Sequence, residues 1–288
     1  MHIPELLRGL DRPFVSVELL PPRKEAEQTV FWTAVEKIKR MKPLFAAVTC
    51  GAGGKGSVGT LTVARDLAEK HGFTVMPHIT CVHAAQTGLE SQLDTIRACG
   101  IRNALAIRGD FPEDSPRPPK GLAHASDLVE HILELAPDLS IGVAAYPDGH
   151  PESASLAEDI GFLKFKLDAG ATFGVTQLFF DNRRYFDMID RLAALGCHKP
   201  IIPSVLPVRT LGQIKRVTSL CDAPVPGKIL AGAEAAYEKG GDAAVREFGT
   251  SLAARQIADL LQNGAPGVHL YPFNQPDMCA DILERVGV

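Results

Sequence analysis

The sequence lacks the features that mark membrane, secreted and nucleic-acid-binding proteins. None of its apolar runs approaches the ~18 residues of a membrane-spanning helix, and its first residues lack the basic region and apolar run of a signal peptide. Its 30 basic and 34 acidic residues form no long run of one sign, which excludes a nucleic-acid footprint and a polybasic membrane patch. We therefore expect a cytoplasmic protein.

Linkers, repeats and paired cysteines are also missing. The six cysteines lie singly and form no C-x-x-C pair, so we expect reduced thiols and no structural disulfide. Neither a Ser/Gly-rich linker nor a repeat of solenoid length divides the 288 residues. The chain is 45% hydrophobic and 22% charged, which is typical of a globular protein with a sizeable core. We expect one domain over residues 1–288.

Short apolar runs alternate with longer helical patterns along the chain. Eight runs have strand character, at residues 14–20, 45–50, 75–80, 104–108, 141–146, 174–180, 201–206 and 268–273. Helical patterns lie at 25–40, 60–71, 86–99, 125–136, 153–169, 183–195, 209–220, 250–263 and 276–286, with an extra helical segment at 228–248. Nearly continuous apolar strands that alternate with helices predict a single-domain (β/α)8 TIM barrel. A doubly wound open sheet is the alternative.

Polar residues converge on the predicted carboxyl ends of these strands, where barrel enzymes carry their active sites. They are Glu18, Thr49, His78, Arg108, Gly109, Asp110, Tyr146, His150, Gln177, Tyr271 and Asn274. Amphipathic patterning does not explain such a set, so it predicts a binding or catalytic site. Glu18 stands out because it interrupts an apolar strand, and such an acid needs a partner or a raised pKa.

Two further patterns invite other interpretations. Gly51–Gly56 formally matches G-x-G-x-x-G, but the next strand lacks the acid of a dinucleotide-binding fold, and Lys55 is not followed by the Ser or Thr of a P-loop. We interpret this segment as a flexible loop. His78, Cys81 and His83 have side chains that suit zinc, but no fourth ligand is evident, so we assign no metal. A metal-assisted barrel hydrolase remains an alternative.

Read in order, several segments resemble the 5,10-methylenetetrahydrofolate reductase family of flavin enzymes. The segments are Val17–Arg23, Val48–Thr49, Pro77–Cys81, Leu105–Asp110, Ala125–Leu128, Ala144–Pro147, His150–Glu152, Lys166–Ala171, Thr176–Asp181 and Pro203–Val208. The ordered set covers residues 14–275 and is specific, although each segment is weak alone. The resemblance implies a (β/α)8 barrel with FAD in its mouth, in agreement with the strand count, and a homo-oligomer.

The resemblance also implies roles for individual residues. Positions that hold FAD fall on Thr49, His78, Arg108, Gly109, Asp110, Ala125, Tyr146, His150, Asp159 and Lys166. The basic members suit the pyrophosphate, and the carboxylate at 159 suits hydroxyl groups of the ribityl or ribose part. Positions that hold the folate substrate fall on Gln177, Gln213 and Gln275. Gln275 stands where an Arg meets folate, and Val217 stands where family members carry a Phe that stacks on substrates.

The implied reaction is reduction of 5,10-methylenetetrahydrofolate to 5-methyltetrahydrofolate by ping-pong hydride transfer from NAD(P)H through FAD, or its reverse. Opening the five-membered folate ring to an iminium needs a proton on the leaving nitrogen, and Glu18 is the expected acid. An apolar setting is expected to raise the pKa of Glu18 toward neutrality. Asp110 is expected to favour the iminium cation. Residues 217 and 275 differ from the family pattern, so a flavin- or folate-binding barrel without NAD(P)H turnover is the alternative.

Overall fold

Eight parallel strands close into a barrel in the computed structural model of the chain, and they follow one another in sequence order. The structure describes residues 1–50, 57–82, 84, 88–109, 122–221 and 223–288, without the side chains of residues 57, 58 and 217–221. The strands are β1 Phe14–Leu19, β2 Ala46–Val48, β3 Val75–Thr80, β4 Asn103–Ile107, β5 Ser140–Ala145, β6 Phe173–Leu178, β7 Ile201–Val205 and β8 Gly267–Leu270. Because β8 also pairs with β1, the predicted TIM barrel is confirmed and the open sheet is wrong.

Helices surround the barrel, and most of them bury their apolar faces against the outer side of the strands, whereas the first packs Ile3 into the cluster inside the barrel. They are α1 Ile3–Arg8, α2 Gln28–Arg40, α3 Ser57–Glu69, α4 Leu89–Ala98, α5 Ala125–Leu135, α6 Leu156–Asp168, α7 Asn182–Ala194, α8 Leu211–Cys221, α9 Gly227–Gln262 and α10 Asp277–Val286. Helix α1 was not predicted, because six residues are too few for a periodic signal. Its Ile3 is buried, and the backbone N–H of Ile3 donates to Oδ1 of Asn103 at 2.7 Å.

Helix α9 provides the extra helical segment before the last strand, but its break differs from the prediction. The patterns at 228–248 and 250–263 predicted two helices that separate near residue 249. The structure is helical through Gly249 and breaks at Gly240 and Gly241, where Gly241 has a φ of 62°. A side chain rarely adopts this backbone conformation, so the glycine pair is the physical cause of the break.

Alternate strand residues fill the barrel interior, and they divide it into an apolar part and a polar part. Phe14, Phe45, Met76, Leu105 and Phe173 belong to one buried apolar cluster inside the barrel. Two residues further along β1 and β3, the same inward face carries polar side chains instead. The apolar cluster therefore forms the floor of a polar mouth at the carboxyl ends of the strands.

The described cysteines and helices can be compared with two expectations from the sequence, namely reduced thiols and the lack of a membrane-spanning helix. Cys50, Cys81, Cys99, Cys197 and Cys279 are free thiols. Across the described ranges, no helix is both long enough and apolar enough to cross a membrane.

Candidate active site

The mouth of the barrel holds a carboxylate between two imidazoles. Glu18 lies on β1, His78 on β3 and His269 on β8. The Oε2 atom of Glu18 is 3.6 Å from Nε2 of His78 and 3.7 Å from Nε2 of His269. Both nitrogens are buried, and neither has a hydrogen-bond partner within the part of the chain that the structure describes. We call these three residues the Glu18 cluster, in which both imidazole nitrogens face the carboxylate from just beyond direct hydrogen-bond distance.

The predicted rise in the pKa of Glu18 is wrong in direction. Burial does raise the pKa of this carboxyl, but the interaction with His269 and the charges of His78 and His269 outweigh it, so the pKa lies below its usual value. Burial lowers the pKa of His78. Along the sequence Glu18 stands alone in an apolar run, because the two histidines are 60 and 251 residues away in the chain. Only barrel closure brings them to it.

His269 is a site residue that the sequence analysis missed. Its Nδ1 lies 2.9 Å from Oγ of Ser16, and its ring stacks on Phe45 with the centroids 5.9 Å apart. Oγ of Ser16 can also donate to the carbonyl oxygen of Val268 at 3.4 Å. Ser16 thus orients the ring, whose Nε2 faces Glu18. One feature of the sequence could have indicated His269: it is a histidine inside an apolar strand, just as Glu18 is an acid inside the apolar strand β1.

Gln177 lies where β6 carries one residue more than its partner strand. Val175 pairs with Ile202 and Leu178 with Ser204, so the ladder contains a bulge. Bulges re-aim side chains and are frequent beside active sites. The bulge thus gives Gln177 a conformation that the regular strand alternation would not predict.

The segment after β7 presents a half-buried amide and a cation. Oε1 of Gln213 accepts the backbone N–H of Arg209 at 2.7 Å, whereas its buried Nε2 has no partner among the described residues. Nη1 of Arg209 donates to Oε1 of Gln275 at 2.6 Å. The predicted folate-binding residues Gln213 and Gln275 are therefore joined through one arginine. The Nε2 atom of Gln213 is a donor available to a bound polar group.

A second cluster lies across β4, β5 and α6 and contains a half-buried cation. Nζ of Lys166 donates to the carbonyl oxygen of Ala144 at 2.6 Å and lies 5.8 Å from the centre of the Tyr146 ring. Burial lowers the pKa of Lys166 to about 8, although Asp159 opposes the shift. An ammonium group held in this way is suited to a bound anion, because a negative charge would offset the cost of its burial.

The remaining residues of the second cluster give it further polar groups. The ring of His150 meets that of Tyr146 edge to face, with centroids 4.8 Å apart, and burial together with Arg108 lowers its pKa. Arg108 makes a bidentate pair with the exposed Glu152 at 2.5 and 2.8 Å. The buried carboxylate of Asp159 accepts from Oγ of Ser153 at 3.0 Å.

The other predicted cofactor residues lie at the ends of neighbouring strands and at a helix start. Thr49 directly follows β2, and its carbonyl accepts from Oγ1 of Thr60 at 2.8 Å. Gly109 follows β4 with a φ of 79°, and an added Cβ would lie 2.9 Å from Cβ of Thr80. Ala125 is the first residue of α5.

Several predicted features lie outside the described residues. They are Asp110, His83 and the loop Gly51–Gly56. Val217 lies in α8, and its side chain is not described.

Known proteins resemble this chain in sequence over nearly its whole length. A family model described as "Methylenetetrahydrofolate reductase" matches residues 4–287. The 5,10-methylenetetrahydrofolate reductase of Pectobacterium carotovorum subsp. carotovorum is 32% identical over 275 residues, which cover 95% of this chain and 90% of the relative. Methylenetetrahydrofolate reductase (NADH) 1 of Zea mays is 30% identical over 293 residues, which cover 97% of this chain and 49% of the relative.

A solved structure gives an independent comparison of the fold. An uncharacterized protein from Clostridium thermocellum that binds two copies of 5-methyl-5,6,7,8-tetrahydrofolic acid aligns with a TM-score of 0.64 and 12% identity. The alignment covers 99% of this chain and 98% of the other. At this identity the likeness supports the barrel fold alone.

Proposed function

The chain belongs to the methylenetetrahydrofolate reductase family, and from this premise we propose that it reduces 5,10-methylenetetrahydrofolate to 5-methyltetrahydrofolate. The observation in the molecule that carries the proposal is the Glu18 cluster. A reductase of this substrate needs a proton donor at the mouth of the barrel, and Glu18 is a carboxyl placed there between two imidazoles, all three being groups that can carry a proton.

The electron carrier in this proposal is FAD, and the second cluster fits it. Lys166 is a half-buried cation suited to a pyrophosphate, and Tyr146 offers an aromatic face beside it. The proposed FAD site also includes the other residues that the family resemblance implies, namely Thr49, His78, Arg108, Gly109, Asp110, Ala125, His150 and Asp159. FAD supplies hydride transfer from NAD(P)H to the folate in two separate half-reactions.

The protein's own contribution to the folate half-reaction is proton transfer. Before hydride reaches the methylene carbon, the C–N bond of the five-membered ring breaks and the leaving nitrogen takes a proton from Oε2 of Glu18. The Glu18 carboxylate that remains takes up a proton from solvent, which the nearby imidazole of His269 can relay, while Oγ of Ser16 keeps that imidazole oriented. Asp110 is the proposed stabiliser of the iminium cation.

Side-chain amides at the barrel mouth are proposed to orient the substrate. Gln177 and Gln213 are proposed to hydrogen-bond the pterin, since an amide offers both a donor and an acceptor to its ring edge. The buried Nε2 of Gln213 is one such donor. Gln275 is proposed to act through the arginine to which it is bound.

An anaerobic visible titration tests the proposed function. The purified chain, with FAD supplied, should lose its flavin colour on addition of NADH or NADPH and regain it on addition of methylenetetrahydrofolate. Flavin binding without bleaching by either donor would favour the flavin-binding barrel without turnover. Stoichiometric zinc and no flavin binding would instead favour the hydrolase.

His269→Asn should move the pH dependence of the folate half-reaction to higher pH. Above the pKa of Glu18 the rate should fall about tenfold per pH unit, because only the protonated acid donates. His269 lowers that pKa, so its removal leaves burial as the larger influence and should move the falling limb to higher pH. The measurement is stopped-flow reoxidation of reduced enzyme by methylenetetrahydrofolate from pH 5.5 to 9.

The exposed His131 on α5 provides the matched control, and His131→Asn should leave this profile unchanged. If the fall in rate occurs at the same pH or at lower pH in His269→Asn, His269 does not lower the pKa of the acid. The pH dependence of flavin reduction by NAD(P)H, followed in the same samples, should stay the same. This result would separate an effect on Glu18 from a general loss of structure.

A further inference from the structure

The carboxylate of Glu152 lies among basic side chains of the second cluster. Nη1 of Arg108 donates to Oε2 of Glu152 at 2.5 Å, and Nη2 of Arg108 donates to Oε1 at 2.8 Å. These hydrogen bonds lower the pKa of the Glu152 carboxyl, and the charges of Arg108, His150 and His124 lower it further. One anionic group therefore lies where three basic groups meet.

The groups that surround Glu152 also suit a phosphate. A planar guanidinium binds a carboxylate and a phosphate through the same kind of paired hydrogen bonds. His124 is the N-cap of α5, so the positive end of that helix lies on this side of the cluster as well. The Glu152 carboxylate thus engages the two terminal nitrogens of Arg108 that a phosphate would bind.

The ion pair between Arg108 and Glu152 can open while the backbone around it stays in place. The side chain of Glu152 is 65% exposed. Its backbone N–H donates to Nδ1 of His150 at 3.1 Å, and the backbone N–H of Ser153 donates to the carbonyl oxygen of His150 at 2.9 Å. These bonds hold the loop when the carboxylate turns away. Because an exposed ion pair is weak, a pyrophosphate with two negative charges can displace the carboxylate.

We propose that Glu152 competes with the pyrophosphate of FAD for Arg108, and that it holds the affinity for FAD below what the basic groups of the second cluster would otherwise give. The inference rests on the proposed function, because it takes FAD to bind at this cluster. In the exchange one anion replaces another on the guanidinium, and no covalent bond changes. The displaced carboxylate stays close to the phosphates, so its repulsion of them adds to the cost of binding.

Fluorescence titration of the full-length chain with FAD measures this competition without turnover. Glu152→Gln should bind FAD about three- to tenfold more tightly at about 0.05 M salt, because glutamine has the same size and lacks the charge. At about 1 M salt the Debye length is only about 3 Å, so the gain should fall below about twofold. If Glu152 served only to support the loop, the same substitution would weaken binding instead.

Two control variants separate the competition from other effects. Arg108→Gln should weaken FAD binding, and adding Glu152→Gln to it should give a smaller gain than in the unmodified chain, because no guanidinium remains to be released. The exposed Glu130 on α5 provides the matched acid, and Glu130→Gln should leave the affinity for FAD unchanged.

The outcomes are distinguishable. Tighter binding by Glu152→Gln that depends on salt and on Arg108 supports the competition. A gain of full size in the Arg108→Gln background would overturn competition for Arg108. Equal or weaker FAD binding by Glu152→Gln would also overturn it and would leave the proposed FAD site intact. Absence of FAD binding by both the unmodified chain and Glu152→Gln would overturn the proposed function, and the competition with it.

Discussion

Replacing Glu18 with Gln is expected to slow the folate half-reaction by about 10²- to 10⁴-fold while flavin reduction by NAD(P)H continues at a nearly unchanged rate. Glutamine has the size and shape of the native side chain and can still form hydrogen bonds beside His78 and His269. It has no carboxyl proton to donate. The variant should therefore bind folate and fail only in the step that protonates the leaving nitrogen.

Two measurements define this result. Stopped-flow bleaching of the flavin by NADH or NADPH follows the first half-reaction, and reoxidation by methylenetetrahydrofolate follows the second. The exposed Glu130 on α5 offers the matched control, since Glu130→Gln removes a carboxylate far from the mouth and should leave both rates unchanged. Full folate activity in Glu18→Gln would sink the assignment of Glu18 as the acid.

Replacing Gly249 with Ala is expected to lower the free energy of unfolding by about 3 kcal/mol or more. Gly249 is buried in α9, and a Cβ at this position would lie 1.8 Å from the carbonyl oxygen of Val208 and 2.8 Å from its carbonyl carbon. Both atoms belong to backbone, so no side-chain rotation relieves the overlap. Either α9 must retreat from the barrel or the segment after β7 must move.

Urea unfolding followed by circular dichroism measures this change, and Gly161→Ala is its control. Gly161 lies in α6, and an added Cβ there would have no atom within 4 Å. That substitution should raise stability by about 0.5–1 kcal/mol, because alanine restricts the unfolded chain and favours the helix. A Gly249→Ala variant that unfolds at the same urea concentration as the unmodified chain would contradict the predicted close contact.

The barrel could be predicted from sequence because of how parallel strands are buried. Strands covered on both faces read as short, nearly continuous apolar runs, and all eight were located to within a few residues. The limits of local pattern appear at α9. Gly249 looked like a helix break, whereas its function in the fold is to let α9 approach Val208. A glycine that breaks a helix and one that permits close packing are identical in sequence.

The candidate site could be predicted only as a set of polar residues at strand ends. The distinctive position of Glu18 was visible because an acid interrupts an apolar strand. His269 gave the same kind of signal and was missed, and the pKa direction of Glu18 was wrong because its two partners lie on other strands. Arg209 was also missed, since nothing in its local sequence shows that it lacks an acidic partner.

The sequence by itself determined the alternation of strands and helices, the polar character of the mouth and the family to which the chain belongs. These depend on residue type and on spacing along the chain, which local periodicity and ordered motifs preserve. Tertiary structure alone decided which partners the charged groups contact. Glu18 lies between two imidazoles, Lys166 donates to a backbone carbonyl, and Arg209 donates to a side-chain amide. Electrostatic energies depend on distance and burial, and both are set by contacts between residues that are remote in the chain.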